Sequence, residues 1–327
     1  MNQVLTTFNL IKSDRELMAN GKPVELRGYK ENTFLTGEFA SRIAEKSLKP
    51  LSVSDVADDY CPTRRDLYFK KGANRPTKKD RQKKYWGQKA GHLIEAYLLR
   101  VLDHAIGNGP IYDELIKESD VFHQKFLEER QKTLDELRQL ESKASGDSGQ
   151  TDWILNNLKG NCANELGIGF LHTVLRENDC CDRPHVFLRQ ELKPNPVTIG
   201  ISSPSEPDFI VPDFRAVGDI KTGDRFKVNY QSTCAGYALA YENALKRDID
   251  WGVIYFFPTR VPSVGGRPMA YGQVYLFHLN DALRDLFIAK RDRAYEIVSR
   301  DAAPNLPKDK EGSCIYCRFR NKCWGEE

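Results

Sequence analysis

Asp208 and the triplet Asp219-Ile220-Lys221 have the residue types and spacing of a metal-dependent hydrolytic centre. Breaking a phosphodiester needs an activated water, stabilisation of a charged phosphorane-like state and a leaving group. Divalent metals held by carboxylates can supply all three. On a strand, Asp219 and Lys221 stand two apart and project from one face. Asp208 lies 11 positions earlier, a hairpin's distance, at the head of another β-rich piece, Asp208-Phe-Ile-Val. Pairing the two pieces brings both carboxylates and the lysine to one sheet edge. The carboxylates would hold Mg²⁺ or Mn²⁺, and Lys221 would orient the attacking water or stabilise developing negative charge. Asp213 is a rival for the first carboxylate, but Val-Pro-Asp-Phe around it has the make-up of the turn itself. A surface salt bridge is the ordinary alternative for a lone Asp-x-Lys. The buried-type strand Ala-Val-Gly-Asp-Ile-Lys-Thr-Gly argues for the centre.

A second chemistry ends the chain, in Cys314-x2-Cys317-x5-Cys323. Three thiols so close suit a soft metal as thiolates, and they leave a tetrahedral site one ligand short. Cys61, in Tyr-Cys-Pro-Thr-Arg-Arg, could be the fourth and would clip the two ends of the polypeptide together. Four thiolates suit zinc as well as an iron–sulfur cluster. Cys162, Cys180, Cys181 and Cys234 have no ligand-like spacing and read as packing or incidental residues.

Other elements must position these groups. Ser52 to Tyr60 predicts a capped helix that delivers Cys61 before Pro62 stops it. Between Arg64 and Lys84 ten basic residues face two acids, with Tyr68, Phe69, Tyr85 and Trp86 among or beside them. Lys78, Lys79, Lys83 and Lys84 are candidates for tracking a phosphate backbone, with the aromatics offering base stacking. A solvated basic loop would read the same way. Trp86 to Leu102 predicts a helix carrying His92, with Glu95 on the same face. Laid over the sheet edge, His92 would complete the metal shell; otherwise it is an ordinary surface or core histidine. Glu191, at the end of a predicted strand, is a weaker candidate for an outer or second-metal carboxylate.

Residues 105–182 read as a helical insertion. Within it, 114–143 form an amphipathic helix that either packs on the body or serves as a partner-binding arm, and Asp152 to Arg176 are helical. From Pro184 the chain turns β-rich. Strands are expected at His185–Leu192, Val197–Ile201, Asp208–Val211, Ala216–Ile220, Gly252–Phe257 and Tyr271–Phe277. Helices are expected at Gln231–Leu245 and Leu279–Val298, the latter capped by Asn280. The fold class is therefore α/β, a mixed central sheet flanked by helices. Four regions follow: 1–104 with the first cysteine ligand, the basic stretch and the His92 helix; 105–182, the insertion; 183–300, the catalytic core; and 301–327, the cysteine cluster.

Composition sets the background. A net charge of +3 does not announce nucleic acid, whereas the local clustering of Lys and Arg does. The longest apolar run, Trp251–Phe257, is far short of the roughly 20 residues that span a bilayer. With no visible export signal, the cysteines are expected in the reducing cytoplasm, where clusters usually mean metal.

With these motifs in order, the chain resembles the RecB-like nucleases of the PD-(D/E)xK superfamily that carry a 4Fe–4S cluster. The likeness is strongest to the CRISPR-associated RecB-like exonuclease family, and the AddB nuclease domain is similar. It rests on Cys61-Pro62, Gly87…His92, Asp208, Asp219-Ile-Lys221, Tyr237 and Cys314/Cys317/Cys323, and it covers roughly 52–102 and 185–325. It implies a restriction-endonuclease-like core, with Asp208, Asp219, Lys221 and Tyr237 as catalytic residues. His92, Asp208, Asp219 and Ile220 would form the metal shell. Cys61, Cys314, Cys317 and Cys323 would hold a 4Fe–4S cluster in a domain built from both chain ends. The family's Gln-x3-Tyr motif is changed: Thr233 stands four before Tyr237, and Gln231, six before it, is the available glutamine for DNA contact. The implied activity is metal-dependent cleavage of single-stranded DNA with 5′→3′ polarity, processing prespacer ends for CRISPR integrase proteins. A non-catalytic iron–sulfur DNA-binding or assembly subunit would keep the same fold. An electron-transfer protein would explain the cysteines but not the acidic hairpin.

Overall fold

The triplet Asp219-Ile220-Lys221 lies on a strand that is buried from Ala216 to Ile220 and half-buried from Lys221 onward. A computed structural model describes residues 33–58, 61–71, 91–97, 99, 128, 131–136, 138–139, 187–212, 215–223, 225–258, 263–264, 267–268, 273–307, 314, 317 and 319–325. Helix α1 (Gly37–Ala44) has Glu38 in its first turn and Arg42 in its last, both favourable to the helix dipole. Helix α2 (Val53–Ala57) opens on a capping box: the Ser52 hydroxyl accepts the Asp55 N–H, and the Asp55 carboxylate accepts the Ser52 N–H. It stops at Ala57, short of the helix expected to Tyr60, because Asp58 turns to extended backbone at ψ 120°. Cys61 and a left-handed Arg64 (φ 58°) then lead into α3 (Arg65–Lys71).

After the short strand β1 (Phe187–Leu188) comes α4 (Pro196–Ile199). The strand expected over 197–201 is therefore corrected. Pro196 sits in the first turn, the Asn195 side chain caps the Val197 N–H, and Gly200 closes the turn in the left-handed region. These start and stop signals outweigh the β-branched Val, Thr and Ile between them. Only Ile201 makes a bridge, with Leu51.

The chain continues through β2 (Phe209–Val211), β3 (Ala216–Gly223), α5 (Tyr230–Leu245) and β4 (Trp251–Pro258). A small β5 (Ser263–Val264)/β6 (Arg267–Pro268) pair follows, then β7 (Gln273–His278), α6 (Asp281–Ser299) and α7 (Arg320–Trp324). The main sheet has the order β1-β2-β3-β4-β7, with β3 parallel to β4 and every other pair antiparallel. This is the mixed sheet flanked by helices that the sequence predicts. Helix α5 makes the crossover between the parallel strands and packs on both. Among the described residues of 105–182, positions 128, 131–136 and 138–139 are helical, and no described helix is long and apolar enough to cross a membrane.

Buried ion pairs tie the long helices down. Arg284 on α6 grips Glu242 on α5 in a two-pronged pair of 2.7 and 2.8 Å. Burial pushes the Glu242 carboxyl up, and the guanidinium opposes that shift. Fully buried Arg291 donates to the carbonyls of Thr33, Phe34 and Ile199, fastening α6 to the start of the described chain.

Candidate functional site

The β2–β3 register pairs Phe209 with Gly218, which sets Asp208 opposite Asp219 one step outward. The Phe209 ring lies across Gly218. A Cβ there would stand 1.9 Å from ring Cζ, so only glycine permits this packing. Asp208 is held at both ends: its Oδ2 accepts the Ile220 N–H at 2.6 Å, and its carbonyl accepts the Arg189 N–H at 3.0 Å. Facing carboxylates on neighbouring strands repel. Accordingly burial, then the charges of Asp219 and Glu95, push the Asp208 carboxyl well above the usual carboxylate range, against the Ile220 N–H and Lys221. Asp208 is half-buried as a residue.

Asp219 is almost fully buried, and Lys221 forms an ion pair with its Oδ2. Burial works against the Lys221 charge, but Asp219 and Asp208 outweigh it and hold the ammonium above its ordinary range. Apart from that ammonium, Asp219 Oδ2 has no hydrogen-bond donor among the described residues. A buried acceptor short of donors, beside a carboxyl pushed toward protonation, is a donor set that a hard divalent cation would satisfy. Ile220 lies between them with its side chain buried, so any part it plays in a metal shell comes from its backbone.

From α5, Tyr237 faces the same centre. Burial, then Asp219, Asp208, Cys234 and Glu95, raise its phenol far above the ordinary range, so it stays a neutral hydrogen-bond donor. Cys234 is fully buried beneath the carboxylates, with Sγ 3.8 Å from the Val253 carbonyl, as a packing residue should be. Gln231 is half-buried near the start of α5 and, six residues before Tyr237, stands about 120° around the helix from it.

The helix over 91–97 reaches the end of β3. A Cβ on Gly91 would lie 2.6 Å from the Thr222 hydroxyl. His92 turns outward with its side chain 74% exposed, its Nδ1 3.8 Å from Glu95. Glu95, rather than His92, is the residue whose charge is felt by Asp208 and Tyr237, and Arg189 pairs with it at 3.6 Å. Its only signal in the sequence was its place one turn after His92. Glu191 is exposed. Asp213, Lys78, Lys79, Lys83 and Lys84 lie outside the described residues.

The four cysteines come together although Cys61 and Cys314 are 253 positions apart. Cys61, Cys314, Cys317 and Cys323 line one cavity with Arg65, Asp66, Phe69, Pro307, Phe319, Arg320 and Trp324. Backbone bonds fold the terminal segment around it, from Cys317 to Cys314, Arg320 to Cys317 and Cys323 to Phe319. Burial, with Asp66, Cys61 and Cys314 adding, pushes the Cys317 thiol up to about 11, against a backbone bond from Phe319. Helix α3 supplies the other wall. The Tyr68 hydroxyl donates to the Asp301 carbonyl at 2.7 Å, and Phe69 meets Phe319 at 6.1 Å. Four thiols around a shared space are a chemically suitable set for a cluster that meets a thiolate at each corner. A single zinc would need all four sulfurs within about 2.3 Å of one point. Among the described residues no three His, Cys, Asp or Glu side chains are grouped closely enough to hold one ion as they stand.

Residues 187–325 match the family model described as CRISPR-associated exonuclease Csa1. Over 109 residues, 33% of this chain, the sequence is 28% identical to the protein named CRISPR-associated exonuclease Csa1 from Saccharolobus solfataricus (strain ATCC 35092 / DSM 1617 / JCM 11322 / P2). The match spans about a third of that relative, 35% of its length. The matched region holds the sheet, α5, α6 and the terminal cysteines, so the similarity to that family falls on the part of the chain that carries the acidic motif.

Proposed function

We propose that this protein is a Mg²⁺- or Mn²⁺-dependent deoxyribonuclease with a RecB-like PD-(D/E)xK core, acting 5′→3′ on single-stranded DNA ends. In this reading it prepares DNA ends for the integrase proteins of CRISPR adaptation, and a 4Fe–4S cluster on Cys61, Cys314, Cys317 and Cys323 holds the chain ends together. The observation that carries the reading is half-buried Asp208 set opposite buried Asp219, with Lys221 ion-paired beside it, by the β2–β3 register. The family match supports the assignment to nucleases, and the name of the relative supports the CRISPR setting.

When bound, the divalent metal supplies Lewis acidity and a water activated for attack. Asp208 and Asp219 would hold it, with Glu95 the further carboxylate whose charge reaches Asp208. Lys221 places a positive charge where negative charge develops on the phosphate. Tyr237 stays protonated and can donate to a phosphate oxygen. The segment around Lys78, Lys79, Lys83 and Lys84 neutralises phosphates along the strand.

Asp219→Ala tests the reading. Cleavage of end-labelled single-stranded and duplex DNA in Mn²⁺ should be abolished, while binding measured by anisotropy persists, because phosphate contacts come mainly from basic residues. Unchanged turnover would refute the site. Substrates blocked at the 5′ or 3′ end report the polarity.

A further inference from the structure

We infer that Arg65 is a positioning residue for the cysteine centre, fixing the Cys323 sulfur and setting the electronic character of whatever metal group that sulfur binds. The inference rests on the cysteine-centre reading above. Arg65 Nε donates to Cys323 Sγ at 3.1 Å, across 258 positions of sequence. Its NH1 donates to the Pro304 carbonyl, in the segment that leads to the cysteine cluster. Its guanidinium also lies over the Phe69 ring, 5.2 Å from the centroid, and Lys322 lies over the same ring at 5.1 Å. One planar side chain on α3 thus holds the last cysteine, the approaching backbone and the aromatic wall at once.

The chemistry follows from the donor. A guanidinium is always charged and presents its N–H groups in a rigid fork, so it can direct one bond at sulfur while another is spent on a carbonyl. A hydrogen bond to a ligating sulfur draws electron density from it. In an iron–sulfur centre this stabilises the reduced, more negative state and raises the reduction potential. Outer partners that orient metal ligands typically contribute 10–100-fold to metal retention. Lysine would keep the charge but cannot hold sulfur and carbonyl in one fixed plane.

The experiment uses the full chain, purified anaerobically, as wild type, Arg65→Met, Arg65→Lys and Tyr68→Phe. The last removes another α3-to-tail bond, to the Asp301 carbonyl, without touching a cysteine. Iron, sulfide and zinc are quantified, metal release to EDTA is timed, and the potential is read by titration with dithionite. Arg65→Met should release its metal about 10–100-fold faster than wild type. If the metal is a cluster, its potential should shift downward. Arg65→Lys should fall between, and Tyr68→Phe should lower thermal stability while leaving release rate and potential near wild type. Wild-type release and potential in Arg65→Met would overturn the inference with the cysteine centre intact. Equal effects in Tyr68→Phe would overturn it in favour of a purely structural clip. A zinc-loaded wild type would remove the iron–sulfur reading, yet the release rate would still decide the role of Arg65. A metal-free wild type would overturn both.

Discussion

Gly218→Ala should damage catalysis through the spacing of two strands, without touching a reacting group. The added Cβ would meet Phe209 Cζ at 1.9 Å, Cε2 at 2.0 Å and Cε1 at 2.5 Å. Carbon atoms rest about 3.5–4.0 Å apart, so the ring must retreat by roughly 1.5–2 Å. Phe209 is buried and cannot simply swing into solvent, so part of the movement passes to its backbone. Asp208 is the residue before Phe209, and Asp219 follows the new alanine. Overpacking of this kind costs about 1–3 kcal/mol of stability. A displacement of about 1 Å between reacting groups costs on the order of 100-fold in turnover. The assay is Mn²⁺-supported cleavage of single-stranded DNA, normalised to folded protein by thermal melts. Gly200→Ala serves as the control: it strains a left-handed residue (φ 67°) and meets Tyr295 at 2.8 Å, outside the acidic centre. It should lose comparable stability but keep its turnover. Adding Phe209→Leu to Gly218→Ala should restore much of the lost activity by removing the obstructing ring edge. Wild-type turnover in Gly218→Ala, or equal losses in both glycine variants, would refute the register argument.

Glu95→Gln should weaken Mn²⁺ binding more than His92→Ala does, because Glu95 faces the carboxylates while His92 points outward; calorimetric titration with Mn²⁺ ranks the two, and the reverse order would return the metal shell to the histidine. Arg284→Met should cost about 3–5 kcal/mol in denaturant unfolding, since it strands the buried Glu242 charge; a loss below about 1 kcal/mol would show that water reaches the pair. Asp55→Asn should cost about 1 kcal/mol near neutral pH through the weakened cap and the lost Lys70 ion pair. Although burial opposes it, the bonds from Lys70 and Ser52 hold the Asp55 carboxyl below its ordinary value of 3.8, so its stabilisation is present above that value and lost as pH falls through the lowered one. The gap between mutant and wild type should therefore close in acid, and a gap constant with pH would contradict the assignment.

Long elements were legible because their patterns are redundant. Ala216 to Ile220 reads as buried strand, and β3 runs there and on to Gly223. Helix α6 begins at the Asn280 cap, whose side chain accepts the Leu283 N–H at 3.0 Å. Short elements follow local punctuation instead. Three β-branched or apolar residues at 197–199 yielded to Asn195, Pro196 and Gly200. The hairpin distance between Asp208 and Asp219 could be read directly, because antiparallel pairing depends on sequence spacing. The contact of Glu95 with that pair depends on how a separate helix docks, and no spacing encodes that. Arg65 was visible only as part of a basic run. Its approach to Cys323 is a consequence of tertiary packing across most of the chain.

The cysteine cavity and the acidic residues are joined by packed helices. Helix α3, which carries Arg65 and walls the cysteine cavity, packs on α6. Helix α6 packs in turn on α5, where Gly236 lies so close to Phe287 and Val53 that a Cβ would sit 2.4 and 2.8 Å from them. The residue after Gly236 is Tyr237, which faces the carboxylates. A disturbance of the cysteine centre can therefore reach α5 through α6, or through α2, which leads into Cys61 and packs on α5 as well. The interfaces on the way are close-packed, so they resist graded movement and give way together. Loss of the cysteine centre should thus be felt first as a loosened tail and lower stability, with the acidic pair disturbed only once the packing of α5 on α2 and α6 fails.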